Sequence, residues 1–422
     1  MKIYKKINSC RICKSKKLIT IIDLKEQYLQ GSFLKKESPK TYLKKIPLKL
    51  ILCKKCSLVQ LQHTTNKNIL YKNYWYESGI NFTMKNHLRD LVKEVSKLFK
   101  NEKINVLDIG CNDGTLLNYY NKNCSKFGID PSQITNKINK KKITLINDFF
   151  PLKKKSKLIF NKKFKIITSI AMFYDLDDPN IFVKEIKKYL DKNGIWIFEL
   201  SYLIDMLKLK SFDTICHEHL EYYSLTCLEY LVNKNDLKIF KVSKNSINGG
   251  SIRCYVVHQE NTNYDNIKNI KFLKKLLDHE KKLQVHKRKI YDQFSLAINK
   301  LKKNLNIKIN NIKKKNKTIF VLGASTKGNT ILQFLGLNQK IIPYAIERNK
   351  LKVGASTIGT NIKIISESKG KTLNPDFKLV LPWHFKSEII KREIHYIQNG
   401  GILIFPLPKL KLINKNNYLK NV

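Results

Sequence analysis

Arginine is scarce in this 422-residue chain: six of its 81 basic residues, at positions 11, 89, 253, 288, 348 and 392, against 75 lysines. Acidic residues are few as well, 33 in all, so the formal net charge is +48. That charge invites a nucleic-acid reading. The shortage of Arg, the side chain suited to bidentate phosphate and base contacts, argues against a dedicated site. The lysines are spread over the whole chain among many Asn and Ile, the mark of a compositional bias that paints a solvated surface on any fold. Such a surface raises nonspecific affinity for anionic partners, a phosphorylated substrate included. No run approaches the roughly 18 apolar residues of a membrane helix. The start, MKIYKKINSCRICKSKK, has no apolar core of a secretory signal. The expectation is therefore a cytoplasmic chain whose nine cysteines are thiols or metal ligands rather than a disulfide framework.

No fixed-period repeat is present, and 42% hydrophobic residues are ample for packed cores. The length suggests two or three domains. Residues 1–70 are polar and carry two Cys pairs. A helical pattern runs from Thr83 to Phe99, with Leu88, Leu91, Val92, Val95 and Leu98 on its apolar face. Strand candidates follow at 104–110, 126–130, 143–146, 164–170, 194–200, 237–242 and 251–257. This alternation ends in a probable hairpin and reads as an α/β sheet with an antiparallel edge. A lysine-rich helical stretch at 264–312 leads to TIFVLGA (318–324), which opens a second αβ series. The predicted division is a zinc-binding module over 1–70, a central α/β domain over 71–260, a helical connector over 261–312 and a second, Rossmann-like α/β domain over 313–422.

Cys10-x-x-Cys13 and Cys53-x-x-Cys56 offer four soft ligands in two knuckles, the pattern of a closed, structural zinc site. The alternative is two unrelated thiol pairs. The 39 residues between the knuckles exceed the usual ribbon spacing. Cys111, Cys124, Cys227 and Cys254 have no such pairing and read as packing residues.

Asp108-Ile-Gly110-Cys-Asn112-Asp113-Gly114 follows a strand and precedes helical LLNYY. The two glycines let the backbone pass close to a ligand at the carboxyl end of the sheet. Asp130 ends the next strand, placed to hold ribose hydroxyls. Asp148 and Phe149 follow the third, placed to bind and stack an adenine. The spacing is not the GxGxxG of NAD sites. It matches the DxGxxxG pattern of class I S-adenosylmethionine methyltransferases.

After the fifth strand, Asp213-Thr-Ile-Cys216-His217-Glu218-His219-Leu-Glu221-Tyr222-Tyr223-Ser224 gathers two His, three carboxylates and two Tyr. Ligands bind beyond the carboxyl ends of strands in such folds, and a His beside a carboxylate can take a proton near neutral pH. A metal site built from Cys216, His217 and His219 is the rival reading. In the second series, GASTKGN fails the Walker pattern, because Lys327 precedes Gly328. Ser325, Lys327 and Asn329 are candidates for an anionic or hydroxylated part of a substrate, with a plain strand–helix turn as the alternative. Glu347 ends the following strand and could touch a hydroxyl, and His384 is read as structural.

Together the paired CxxC module, VLDIGCNDGTLL, CHEHLEYYS, NGGSIR (248–253), GASTKGN (323–329) and the closing PWH and GGILIFPLP segments resemble the three-domain S-adenosylmethionine-dependent C-methyltransferases, which include sugar-nucleotide enzymes. The resemblance runs from Cys10 to about Pro408. It implies a zinc module, a class I methyltransferase domain with a Rossmann-like sheet and a C-terminal Rossmann-like domain, with substrate between the last two. It makes His219 the base and Glu218 its partner, with Tyr222 and Tyr223 shaping the pocket and His217 on the substrate. Tyr74, Tyr76 and Ser78 would lie over the cofactor. Cys216 stands where the sugar enzymes have Tyr.

The implied cofactors are S-adenosylmethionine and structural zinc. The implied substrate is a 4-keto sugar nucleotide, deprotonated next to its ketone and methylated there. No specific nucleic-acid or membrane partner is expected, and the state is a monomer or small homo-oligomer. The alternative activity is RNA methylation. Amino-methylating enzymes of that class carry an Asp/Asn-Pro-Pro-aromatic run where this chain has Ala171-Met172-Phe173-Tyr174, and the Pro-Cys dipeptide of base C5-methylation is absent.

Overall fold

The computed structural model describes residues 3–38, 43–71, 76–100, 102–152, 156–159 and 161–421. A seven-stranded sheet lies at the middle of the chain, in the order Leu237–Asn245, Ser251–His258, Leu190–Ser201, Phe164–Ile170, Ile104–Ile109, Cys124–Ile129, Thr144–Ile146. Ser251–His258 runs antiparallel to both neighbours, and the remaining pairings are parallel. The central strands are buried without interruption, Gly194 to Leu200 for example, as strands covered on both faces must be. Strand order reverses between Ile104–Ile109 and Phe164–Ile170, which opens a crevice above the carboxyl ends of those two strands.

The helix expected over 83–99 is Phe82–Ser96, started by the Asn81 side chain accepting from the Met84 amide. Met84, Leu88, Leu91, Val92 and Val95 are buried as the period requires. Leu98 is not: the chain tightens into a 3₁₀ turn at Lys97–Phe99, which turns Phe99 inward and leaves Leu98 48% exposed. The 264–312 stretch is two helices, Ile267–Leu283 and Lys289–Lys314, broken where Gln284 adopts a left-handed φ of 54°. Seven apolar residues of the second, from Tyr291 to Ile312, recur every three or four positions and are all buried. They share one core with the C-terminal sheet and with Leu48, Leu50 and Leu52 near the N-terminus.

That C-terminal sheet has eight strands, in the order Lys411–Ile413, Ile402–Phe405, Phe377–Val380, Ile319–Leu322, Tyr344–Glu347, Lys363–Ser366, Ser356–Thr357, Phe33–Leu34. Its last member comes from the N-terminal segment, Phe33 facing Thr357 and Leu34 facing Ser356. The N-terminal sheet borrows in turn: Leu18–Gln27, Ile46–Cys53 and Val59–Leu61 are joined by Glu221–Tyr222. The long spacing between the Cys pairs is thereby explained, since the intervening residues form a hairpin and the exchanged strand.

At the base of this hairpin the four Cys sulfurs lie within 4.8 Å of one another, Cys10 to Cys56 at 3.5 Å and Cys13 to Cys53 at 3.4 Å. A tetrahedral zinc with Zn–S near 2.3 Å spaces its sulfurs about 3.8 Å apart, so the cluster fits the ion. Each knuckle closes in the same way, the Lys14 amide on the Cys10 carbonyl and the Ser57 amide on the Cys53 carbonyl, both at 3.0 Å.

Two outcomes follow for stability. Elemental analysis should find one zinc per chain, and Cys53→Ser should lose it and lower the thermal midpoint; an unchanged midpoint in a zinc-free variant would refute a structural role. Glu280, fully buried, accepts from Tyr202 Oη, the Leu225 and Thr226 amides and Thr226 Oγ1, at 2.6–2.8 Å. Glu280→Ala should cost about 3 kcal/mol in urea denaturation, and Glu280→Gln less.

Candidate active site

A single cavity of about 560 Å³ lies above the crevice, lined by the glycine loop, the 174–178 and 218–220 segments and the second α/β domain. At its floor Gly110 has φ +77° and an added Cβ would lie 2.9 Å from the Met172 side chain, so glycine is required both by conformation and by space. Gly114 (φ +76°) begins the helix Thr115–Asn118. Asp108, Gly110 and Asp130 all reach the cavity. Asp108 accepts from Thr168 Oγ1 at 2.6 Å, yet burial, reinforced by Asp130 and Asp113, pushes its carboxyl up to about 7. Asp130 is held in place by the Asn112 amide at 2.9 Å and by Ser132. Asp148 and Phe149 stand at the rim; Lys67 Nζ lies 4.0 Å over the Phe149 ring.

Asn112 and Asp113 do something the sequence does not announce. Asn112 accepts from the Ser78 amide at 3.0 Å and donates to the Tyr76 carbonyl, and Asp113 accepts from the Gly79 amide at 2.7 Å. Their side chains latch the Tyr76–Gly79 segment across the mouth, so Asp113 is committed to backbone rather than turned to a ligand. Tyr76 and Ser78 line the cavity, and Tyr74 lies outside the described residues.

His219 lines the same cavity. Its Nδ1 lies 2.8 Å from the Thr214 carbonyl, which can only accept, so Nδ1 carries the hydrogen and Nε2 keeps its lone pair. Nε2 has no hydrogen-bond partner among the described residues. Tyr174 packs edge-on against the ring at 4.3 Å. Burial, with the charge of Lys327 behind it, holds the imidazole down to about 3. Glu218 is also on the wall, but it makes no hydrogen bond to His219 among the described residues; the orienting partner is the Thr214 carbonyl. Glu218 packs against Gly31, where an added Cβ would lie 2.0 Å from Oε1, and its buried Oε2 has no hydrogen-bond partner among the described residues. Burial raises its carboxyl.

Other expectations are corrected. His217 is fully buried off the cavity, Nδ1 2.7 Å from Gln30 Oε1 and Nε2 3.2 Å from the Ile46 carbonyl, so it anchors the N-terminal module. Tyr222 enters the N-terminal sheet, and Tyr223 stacks on Phe173 at 5.5 Å with a 13° interplanar angle; neither reaches the cavity. Asn329 donates to the Gln30 and Ser32 carbonyls, again holding the module. Glu347 lines the cavity, but it accepts from the Ala324, Arg348 and Asn349 amides, which occupies its carboxylate with backbone. Cys216 is buried away from the cavity and forms no metal site with the histidines. Ser325 and Lys327 do line it.

Three lining residues escaped the sequence. Asp175 follows the fourth strand; burial and the nearby Glu218 lift its carboxyl well above the ordinary range. Its position beyond a strand end was the available signal. Lys352 donates to the Ala324 carbonyl at 2.8 Å, and His384, expected to be structural, is on the wall with Nδ1 unpartnered among the described residues. No sequence signal marked Lys352, and His384 stood in the PWH segment with no site role assigned to it.

Comparison with known proteins matches three family models in order: “Putative zinc binding domain” over residues 10–71, a methyltransferase domain over 82–242 and a C-methyltransferase C-terminal domain over 246–408. The C-methyltransferase NovU of Streptomyces niveus is 25% identical across 99% of both chains. Among solved structures, an S-adenosylmethionine-dependent methyltransferase from Clostridium acetobutylicum is 15% identical over 40% of this chain and 90% of its own, TM-score 0.34. Magnesium protoporphyrin IX methyltransferase from Synechocystis, with bound SAH, is 12% identical over 42% of this chain and 87% of its own, TM-score 0.34. The zinc-binding, methyltransferase and C-methyltransferase C-terminal models succeed one another along nearly the whole length, as does the match to NovU: the protein belongs to the three-domain S-adenosylmethionine-dependent C-methyltransferases.

Proposed function

We propose that this enzyme methylates the carbon beside the ketone of a 4-keto sugar nucleotide, with His219 as the base. The observation that carries the reading is the pinned imidazole: Nδ1 donated to the Thr214 carbonyl, Nε2 unpartnered, on the wall of the cavity that also contains Gly110 and Asp130. A carbon next to a ketone is acidic enough for a positioned imidazole to deprotonate, and it needs no metal. Depressed basicity keeps His219 neutral and ready to accept; the negative charge that develops on the substrate as the proton leaves offsets the field of Lys327 and strengthens the imidazole as a base.

Bound S-adenosylmethionine supplies an electrophilic sulfonium methyl. For that cofactor, Asp130 holds ribose hydroxyls, Asp148 and Phe149 the adenine, and Asp108 and Gly110 its amino-acid end, beneath the latched Tyr76–Gly79 segment. The wall opposite, Ser325, Lys327 and Glu218, faces the sugar, with the unpartnered Glu218 Oε2 available to a hydroxyl. Burial of the base within a cavity of about 560 Å³ suits a small molecule and gives no support to an RNA substrate.

The test is mass spectrometry of labelled-methyl transfer onto a panel of 4-keto sugar nucleotides. His219→Ala should bind S-adenosylhomocysteine like the parent and lose about 10²–10⁴ in turnover; turnover within a few-fold of the parent would remove His219 from its role. The pH profile is a separate check. A depressed imidazole is protonated only when pH falls through its lowered value, so with S-adenosylmethionine saturating, which engages the raised Asp108, kcat/KM for the sugar should stay level from about pH 8 to about pH 5.5, whereas an acid limb near 6.5 that persists under saturation would contradict this environment.

A further inference from the structure

Removing the proton is half of the problem. The electron pair of the broken C–H bond becomes the new C=C bond, and the carbonyl pair moves onto oxygen, which becomes an enolate. A site that stabilises that charge needs a donor aimed at the oxygen before the charge forms. Four features single out one side chain. Lys327 lies on the cavity wall in the first turn of the helix Thr326–Leu335, whose Ser325 Oγ caps the Gly328 amide at 3.0 Å. Its Nζ donates to the Asn248 carbonyl at 2.7 Å, which fixes the ammonium and leaves two of its three hydrogens undirected. No carboxylate lies in ion-pair contact with it among the described residues; buried Asp213, the nearest counter-charge felt, has its Oδ2 on Trp383 Nε1 at 2.9 Å. Finally, the helix that carries Lys327 is fastened to the segment that pins the base: Thr330 Oγ1 donates to the Ile215 carbonyl at 3.3 Å, next to the Thr214 carbonyl that holds His219, and the charge of Lys327 is felt by that imidazole.

On these grounds we infer that Lys327 is a catalytic residue whose ammonium hydrogen-bonds the ketone oxygen and stabilises the enolate formed as His219 takes the neighbouring proton. The assignment rests on the keto-sugar reading above and deepens it. It also changes what the GASTKGN loop is for. A nucleotide diphosphate hangs from the anomeric carbon, across the ring from C4, so a cation held near the base meets the ketone end and not the phosphates. Cys216 cannot take this part, being buried off the cavity. Tyr174 is turned edge-on to His219, and His384 offers a neutral ring where Lys327 offers a full charge.

The half-reaction is measurable without methyl transfer. A thymidine-diphosphate 4-keto-6-deoxyhexose is incubated in D₂O with full-length enzyme and S-adenosylhomocysteine, and deuterium entry beside the ketone is followed by NMR. Lys327→Met should slow exchange by about 10²–10³, as loss of one oxyanion donor does, with substrate KM within a few-fold. Lys327→Ala should recover part of the rate when ethylammonium is added, a rescue that a merely structural lysine would not show. Parent-like exchange in Lys327→Met, or a raised KM with kcat intact, would overturn the assignment and return Lys327 to anion binding. Failure of amine rescue in a folded Lys327→Ala would overturn it too. Absence of both exchange and methylation in the parent, across the substrate panel, would instead fell the keto-sugar reading and this assignment with it.

Discussion

The position of His219 depends on a two-residue strand. Glu221 and Tyr222 pair with Gln60 and Val59, and the Leu61 amide donates to the Leu220 carbonyl at 2.9 Å. Side chains reinforce the backbone. Arg11, between the zinc ligands Cys10 and Cys13, donates to Gln60 Oε1, the Leu61 carbonyl and Thr64 Oγ1, and its Nε lies 3.4 Å from Glu221 Oε1. Both partners of that ion pair are almost fully buried, so loss of either would leave an uncompensated charge. A segment of the methyltransferase domain is thus held in register by the N-terminal module, and the imidazole follows from the register.

The same logic explains why so many polar residues of the site face protein rather than ligand. His217, Asn329 and Gln30 knit the module to both α/β domains, and Asn112 with Asp113 fastens the segment over the mouth. Among the described residues, the cavity-lining atoms that stay unsatisfied include Thr65 Oγ1, Glu218 Oε2, Asp175 Oδ1, His384 Nδ1 and, by tautomer, His219 Nε2. Buried polar atoms without partners are costly, so a cavity that leaves several on its lining is built for a molecule that supplies the missing bonds.

The sequence made the sheet legible because its signals are local: apolar runs, a glycine loop at a strand end, and Asp130 after the next strand. The Cys pairs were legible for the same reason. The choice between His217 and His219 was not, because it rests on Gln30, 187 positions away, which takes one imidazole and leaves the other. Tyr222 and Tyr223 look like pocket residues by neighbourhood, yet sheet pairing claims one and Phe173 the other. Glu347 ends a strand where a contact to a substrate hydroxyl is expected, but three backbone amides occupy its carboxylate. For the histidines and tyrosines the competitor is distant in sequence, which no periodicity encodes; for Glu347 two of the three amides belong to its own neighbours, Arg348 and Asn349.

That pattern bears on why a zinc module belongs to a methyltransferase at all. A closed four-thiolate site has no position for substrate, and its contribution must be geometric. The knuckle that zinc would lock contains Arg11, and the Arg11 and Ile12 carbonyls both accept from Asn180 Nδ2, at the start of the helix Pro179–Tyr189 beside the cavity. From the same module, Gly31 presses on Glu218 and Phe33 closes the edge of the C-terminal sheet. One rigid turn therefore touches both the strand that sets His219 and the helix that flanks it. Two α/β domains joined by long helices would be free to shift against each other; the module bridges them, and the proposed role of His219, a base meeting a carbon within a fraction of an ångström, requires such a bridge.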